Sequence, residues 1–193
     1  MSGAKFPRGA AGGRRAAVAV ALIVLTSSLT GCATPFGGDG DGDDRPHGAR
    51  TPTAVTIGGA GLRDADVTEL RVREGEKVAA PDNGVAWLTT SAVPGAKGAA
   101  VLSGRIGAKE RPGTLHAVGR VAIGDEAVVE HADGSRTTFT VDRIQMISRG
   151  LPTVEGVTKG ADRRELRIVA VAPPPEKGEK TADVGLLLSA TAR

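Results

Sequence analysis

Ala127-Val128-Val129-Glu130-His131-Ala132-Asp133-Gly134-Ser135-Arg136-Thr137-Thr138-Phe139-Thr140-Val141 reads as two strands joined by a tight turn. Asp133-Gly134 supplies the positive φ angles that such a turn needs. Beyond the turn, Phe139 and Val141 alternate with Thr138 and Thr140, so one face of the second strand is buried and the other meets water. A half-buried hairpin is not stable alone, and it predicts further strands packed against its apolar face.

Working outward, the same texture recurs. Short runs at Thr53–Ile57, Ala99–Ser103, Ala127–His131, Thr137–Ile144, Glu165–Val171 and Val184–Ala190 are separated by Gly, Pro, Asp and Asn. The expectation is a mainly β domain, a barrel or sandwich with short helical connections, over residues 53–193. About 140 residues suffice for one domain with a core, not for two. With three Phe, one Trp and no Tyr in the whole chain, that core is built from Val, Leu, Ile and Ala, which predicts modest stability. Trp87 fills the core or forms a groove wall, and core is the commoner role for a large aromatic.

The amino terminus has a different character. Lys5, Arg8, Arg14 and Arg15 precede the apolar run Ala16–Leu25 and then Leu29-Thr30-Gly31-Cys32. That order is a lipoprotein signal peptide over residues 1–31, with Cys32 as the lipidated first residue of the mature chain. An uncleaved anchor needs roughly 20 apolar residues, and Thr26-Ser27-Ser28 interrupts the run well before that. Cys32 is the only cysteine, so no disulfide within the chain is available to it. Two acyl chains, at about 0.8 kcal/mol per buried methylene, hold a protein on a membrane stably. The expected location is the outer face of the cytoplasmic membrane. Arg14-Arg15 also raises twin-arginine export, which Ala16-Ala17-Val18 fits loosely.

Residues 32–52 are rich in Gly, Asp and Pro and read as a flexible spacer. Asp39, Asp41 and Asp43 imitate the start of a calcium loop, but Asp44 stands where glycine is required and Arg50 where the bidentate glutamate belongs. Removing the signal also removes four basic side chains and no acidic ones. Lys plus Arg falls from 25 to 21 against 22 Asp plus Glu, and the net charge moves from +3 to −1. The basic precursor therefore gives no footing for nucleic-acid binding.

From about Pro52 to Ala190 the order of short motifs resembles the class F sortases, transpeptidases of the outer membrane face. Trp87 is followed by Pro94-Gly95-Ala96-Lys97-Gly98, then Ala99-Ala100-Val101-Leu102-Ser103-Gly104, Gly124-Asp125, the Asp133-Gly134 hairpin, and Glu165-Leu166-Arg167-Ile168-Val169. The resemblance implies a closed β-barrel. It also implies a cysteine thiolate that attacks a peptide carbonyl, a histidine that handles the proton, and an arginine that steadies the oxyanion.

This chain departs from the family at all three. The Gly-His pair after the strand stands here as Gly104-Arg105, and arginine stays protonated at neutral pH. The strand that closes on cysteine reads Leu166-Arg167-Ile168-Val169-Ala170-Val171, and Val171 has no nucleophilic atom. No arginine occurs between Arg167 and Arg193.

Other chemistry finds little support. His47 lies in the spacer, while His116 and His131 are isolated. Ser103 lacks the glycine spacing of a nucleophile elbow. No metal-ligand spacing or phosphate-loop or dinucleotide fingerprint is present, and Gly58-Gly59-Ala60-Gly61 lacks the later glycine, so no cofactor is expected. The leading expectation is a non-catalytic sortase-like lipoprotein that binds an envelope protein or a sorting-signal-like peptide. Arg105 would meet a carboxylate or carbonyl there, or be a solvated surface charge. Leu151, Val154 and Val157 within Ile147–Arg164 would shape the groove, or only cap the barrel. The competing expectations are a divergent transpeptidase or hydrolase and a purely structural envelope lipoprotein.

Overall fold

The computed structural model describes residues 50–108, 110–147, 150–172 and 185–193. The signal peptide, Cys32, the aspartate run and His47 lie outside them. The chain divides into residues 1–40 and Asp41–Arg193, and everything described belongs to the second unit.

Eight strands close a barrel in the order β1-β2-β3-β4-β7-β8-β6-β5. They are β1 (Pro52–Ile57), β2 (Leu62–Leu70), β3 (Val85–Leu88), β4 (Gly98–Arg105), β5 (Glu126–His131), β6 (Arg136–Ile147), β7 (Arg164–Val171) and β8 (Gly185–Ala192). One short helix, α1 (Val154–Thr158), connects β6 to β7. Neighbours are antiparallel except β2 with β3 and β4 with β7. Closure pairs every strand on both sides and leaves no unpaired edge.

The barrel begins at Pro52, so the last residue assigned to the spacer already belongs to β1 and is buried. Thr51 is also held, its carbonyl accepting from Ala132 N at 2.9 Å. The central hairpin forms where expected, with Glu130 opposite Arg136. Its turn is looser than a two-residue one. His131 N donates to Ser135 O at 2.9 Å, and among residues 132–135 only Gly134, at φ +78°, is left-handed. Asp133 instead accepts from Ser135 N at 2.9 Å, a local bond that shapes the turn without a positive φ.

Alternation sorts the apolar residues into two layers. Val55, Ile57, Val85, Trp87, Ala100, Leu102, Ala127, Val129, Phe139, Val141, Leu166, Ile168, Leu188 and Ala190 point inward and fill the barrel. Leu88, Val101, Val169 and Val171 point outward and pack under Val72, Val78, Val154 and Val157. β4 and most of β7 are therefore buried on both faces, which is why their sequences are continuous apolar runs. Small residues permit the tight interior: a Cβ at Gly104 would lie 2.9 Å from the Leu115 side chain.

Candidate functional site

The parallel ladder between β4 and β7 runs from Gly98 opposite Arg164 to Arg105 opposite Val171. Paired residues in a parallel ladder share a face, so the positions where the resemblance expects a base and a nucleophile stand side by side at the carboxyl ends of two adjacent strands. Ile106 N donates to Val171 O at 2.8 Å and carries the pairing one residue further. Behind Arg105 the chain turns back so closely that a Cβ at Gly113 would sit 2.2 Å from the Arg105 carbonyl oxygen. Leu115 N donates to that same oxygen at 2.9 Å. The backbone at Arg105 is thereby fixed from both sides.

The side chains cannot perform acyl transfer between them. Val171 offers only methyl groups, is 7% exposed, and belongs to the outer apolar layer. The Arg105 guanidinium lies 3.1 Å from Asp82, with side-chain exposures of 36% and 91%. A pair so wetted contributes little to stability. Its Nε, in contrast, is buried and has no acceptor among the described residues.

Ser103, two residues earlier on the same face of β4, is fully buried, and its hydroxyl is also without a hydrogen-bond partner among the described residues. Its sequence context, which lacks the glycine spacing of a nucleophile elbow, does not signal that the Ser103 hydroxyl is orphaned. No base holds that hydroxyl, so it is not activated as a nucleophile. Both orphaned donors are buried, and only the outer end of the Arg105 guanidinium meets solvent.

The groove residues fall in two places. Val154 and Val157 are 4% and 1% exposed and, with half-buried Leu151, pack against Val101, Val169 and Val171 as a cap. Trp87 is not with them. It points into the barrel, 6% exposed, and donates from Nε1 to Ala92 O at 3.1 Å. Period-two alternation explains the separation, because Leu88 takes the outer face and Trp87 the inner one.

The cap is fastened at both ends. At its start Thr153 Oγ1 accepts from Gly156 N at 3.3 Å, Val154 N donates to Glu76 O at 3.0 Å, and Glu155 accepts from Gly75 N. Hydrogen bonds from its own backbone N–H and from Gly75 hold the Glu155 carboxyl below its ordinary value. At its end Arg167 donates to the carbonyls of Val157 and Lys159 at 2.8 and 3.0 Å, while pairing with Glu165 at 2.9 Å.

Neither described histidine is joined to this constellation by a side-chain bond. His116 is exposed, its Nδ1 3.0 Å from Gly113 O. His131 is buried by the hairpin, with Nδ1 2.8 Å from Arg50 O and Nε2 2.9 Å from Thr137 Oγ1. Desolvation lowers its pKa below 6.5, so the ring is neutral at physiological pH and serves packing. Among the described residues no group of three or more His, Cys, Asp or Glu could hold a metal ion, and no helix is long and apolar enough to cross a membrane.

Comparison with known proteins places this geometry. The sortase domain family matches residues 63–182. Sortase C1 from Streptococcus agalactiae superposes with a TM-score of 0.54 at 16% identity, covering 73% of this chain and 66% of its own. Sortase C-1 from Actinomyces oris gives 0.53 at 14% identity, covering 72% of each chain. A sortase D5 transpeptidase from Clostridium perfringens gives 0.54 at 14% identity, covering 74% of this chain and 79% of its own. At such identities the likeness is one of fold, and the chain spans just under two thirds of the streptococcal enzyme. No curated protein matches.

Proposed function

The chain belongs to the sortase domain family, and on that premise we propose that it is a non-catalytic member, of class F type, that binds a peptide or protein partner at the outer face of the cytoplasmic membrane. The observation that carries the proposal is the register pairing of Arg105 with Val171 at the ends of β4 and β7. A thiol nucleophile and an imidazole base brought together by this fold would need those two adjacent positions, and neither residue type can do either task. Lipid on Cys32 would tether the domain through the spacer, as the charge, apolar length and small residue before cysteine suggest.

The binding surface proposed is the rim around Arg105. The partly exposed guanidinium, a fixed positive charge, favours a carboxylate or backbone carbonyl oxygen over an apolar anchor. The apolar layer next to it is already filled by Val154 and Val157, so the partner is expected to engage the rim and not the floor beneath α1.

Fluorescence anisotropy on the full chain in detergent, with labelled peptides carrying sortase sorting signals, tests this. Saturable binding that is lost in Arg105→Glu is expected. Binding indifferent to Arg105→Glu would move the partner surface elsewhere, and no binding at all would favour a purely structural envelope role.

A further inference from the structure

A polar cleft of about 390 Å³ opens on the outer face of β6, β8 and β7. It lies near the start of β7, at the opposite end of that strand from Val171, and the carboxyl end of α1 is pinned by Arg167 between the two. None of its lining residues belongs to the Arg105 rim.

Register arranges its charges in two rows. Arg143, Ser189 and Arg167 are successive partners across β6, β8 and β7. Thr191 and Glu165 are partners one step along, and Asp142 joins them because the β6 ladder shifts between Val141 and Arg143. A bulge of this kind redirects a side chain, and Asp142 accepts from Thr191 Oγ1 at 2.6 Å. Along β7 and β8 the two rows are two residues apart, about 6.7 Å between backbone positions, and the Arg167–Glu165 ion pair at 2.9 Å bridges them. Asp162 and Arg163 from the α1–β7 connection complete the wall.

Several of these groups have unspent capacity. Arg143, Asp162 and Arg163 make no side-chain ion pair or hydrogen bond among the described residues, and the Ser189 hydroxyl has no partner there. No aromatic platform lines the cleft, so neither an apolar ligand nor a stacked ring is favoured. A lone anion would face Asp142, Asp162 and Glu165 as well as the arginines. A ligand that carries both signs meets the open cations Arg143 and Arg163 and the carboxylates Asp142 and Asp162 together.

We propose that this cleft binds a small zwitterion of the amino-acid or short-peptide class, with its carboxylate on Arg143 and Arg163 beside Ser189 and its ammonium on Asp162 and Asp142, while Glu165 stays paired with Arg167. Bidentate guanidinium–carboxylate contacts set the orientation. The site is separate from the Arg105 rim, so the two stand or fall independently.

The test is a ¹H–¹⁵N NMR titration of the full chain in detergent with alanyl-alanine, its N-acetyl form, its C-terminal amide and inorganic phosphate. Expected are saturable shifts at Gly160, Asp162 and Ser189 with the free dipeptide, weakened about tenfold or more by either end-block. Arg143→Gln should abolish the penalty for amidation and Asp162→Asn should reduce that for acetylation, while Arg105→Glu leaves the titration unchanged. No shifts up to about 10 mM, shifts indifferent to both end-blocks, or equal binding of phosphate would each overturn the proposal.

Discussion

Arg105 and Val171 are register partners across the parallel β4–β7 ladder, with Ile106 N bonded to Val171 O just beyond them. Adjacent strands lie about 4.8 Å apart, so side chains at these positions are within reach of one another. The residues at this meeting point supply a cation and a hydrocarbon.

That geometry predicts the outcome of rebuilding the pair. Val171→Cys introduces a thiol, and Arg105→His added to it places an imidazole beside that thiol. The pH dependence of iodoacetamide alkylation should show a lower thiol pKa in the double variant than in Val171→Cys with Arg105→Gln, because an imidazolium favours the thiolate. Equal values would mean that the two side chains do not meet.

Ser103→Ala removes a fully buried hydroxyl with no partner among the described residues. The fold should gain about 1 kcal/mol in urea unfolding. A loss of similar size would reveal a hydrogen bond to this hydroxyl.

Arg167 ties Glu165 to the carbonyls that end α1, with side-chain exposures of 13% and 20% for the pair. Arg167→Lys cannot span the three acceptors and should cost about 1–3 kcal/mol. Faster amide hydrogen exchange confined to residues 154–158 and the underlying β4 should accompany it, whereas uniform loosening would contradict a local fastening.

Acid should weaken the domain in two steps. The folded His131 has its pKa below 6.5, so the unfolded chain binds the proton more readily. Its contribution is complete above pH 6.5 and is lost as the pH falls toward the folded value. Glu155, also lowered, contributes above the ordinary 4.5 and loses that contribution as the pH drops through its folded value. In His131→Gln the step below pH 6.5 should vanish from the stability profile while the Glu155 step remains.

Much of the barrel was legible in the chain because its strands alternate or run apolar between Gly and Pro. β2 was not, since Leu62-Arg63-Asp64-Ala65-Asp66-Val67-Thr68-Glu69-Leu70 is mostly exposed and carries Asp64 at φ +45°. β3 was missed for the opposite reason, its four residues Val85–Leu88 being buried on both faces and too short to show a period. The pairing of Arg105 with Val171 depended on register, which a slip of one residue reverses. The Arg143–Ser189–Arg167 row was invisible for the same reason, since its members lie far apart in sequence and meet only across three strands.

The proposed absence of acyl-transfer chemistry is tested most directly by mass spectrometry of the full chain incubated with a sorting-signal peptide and an amine acceptor. Intact peptide and an unmodified protein mass, under conditions where anisotropy shows the peptide bound, are the predicted result. A cleaved or aminolysed peptide, or an acyl adduct on any residue of the chain, would contradict the non-catalytic reading.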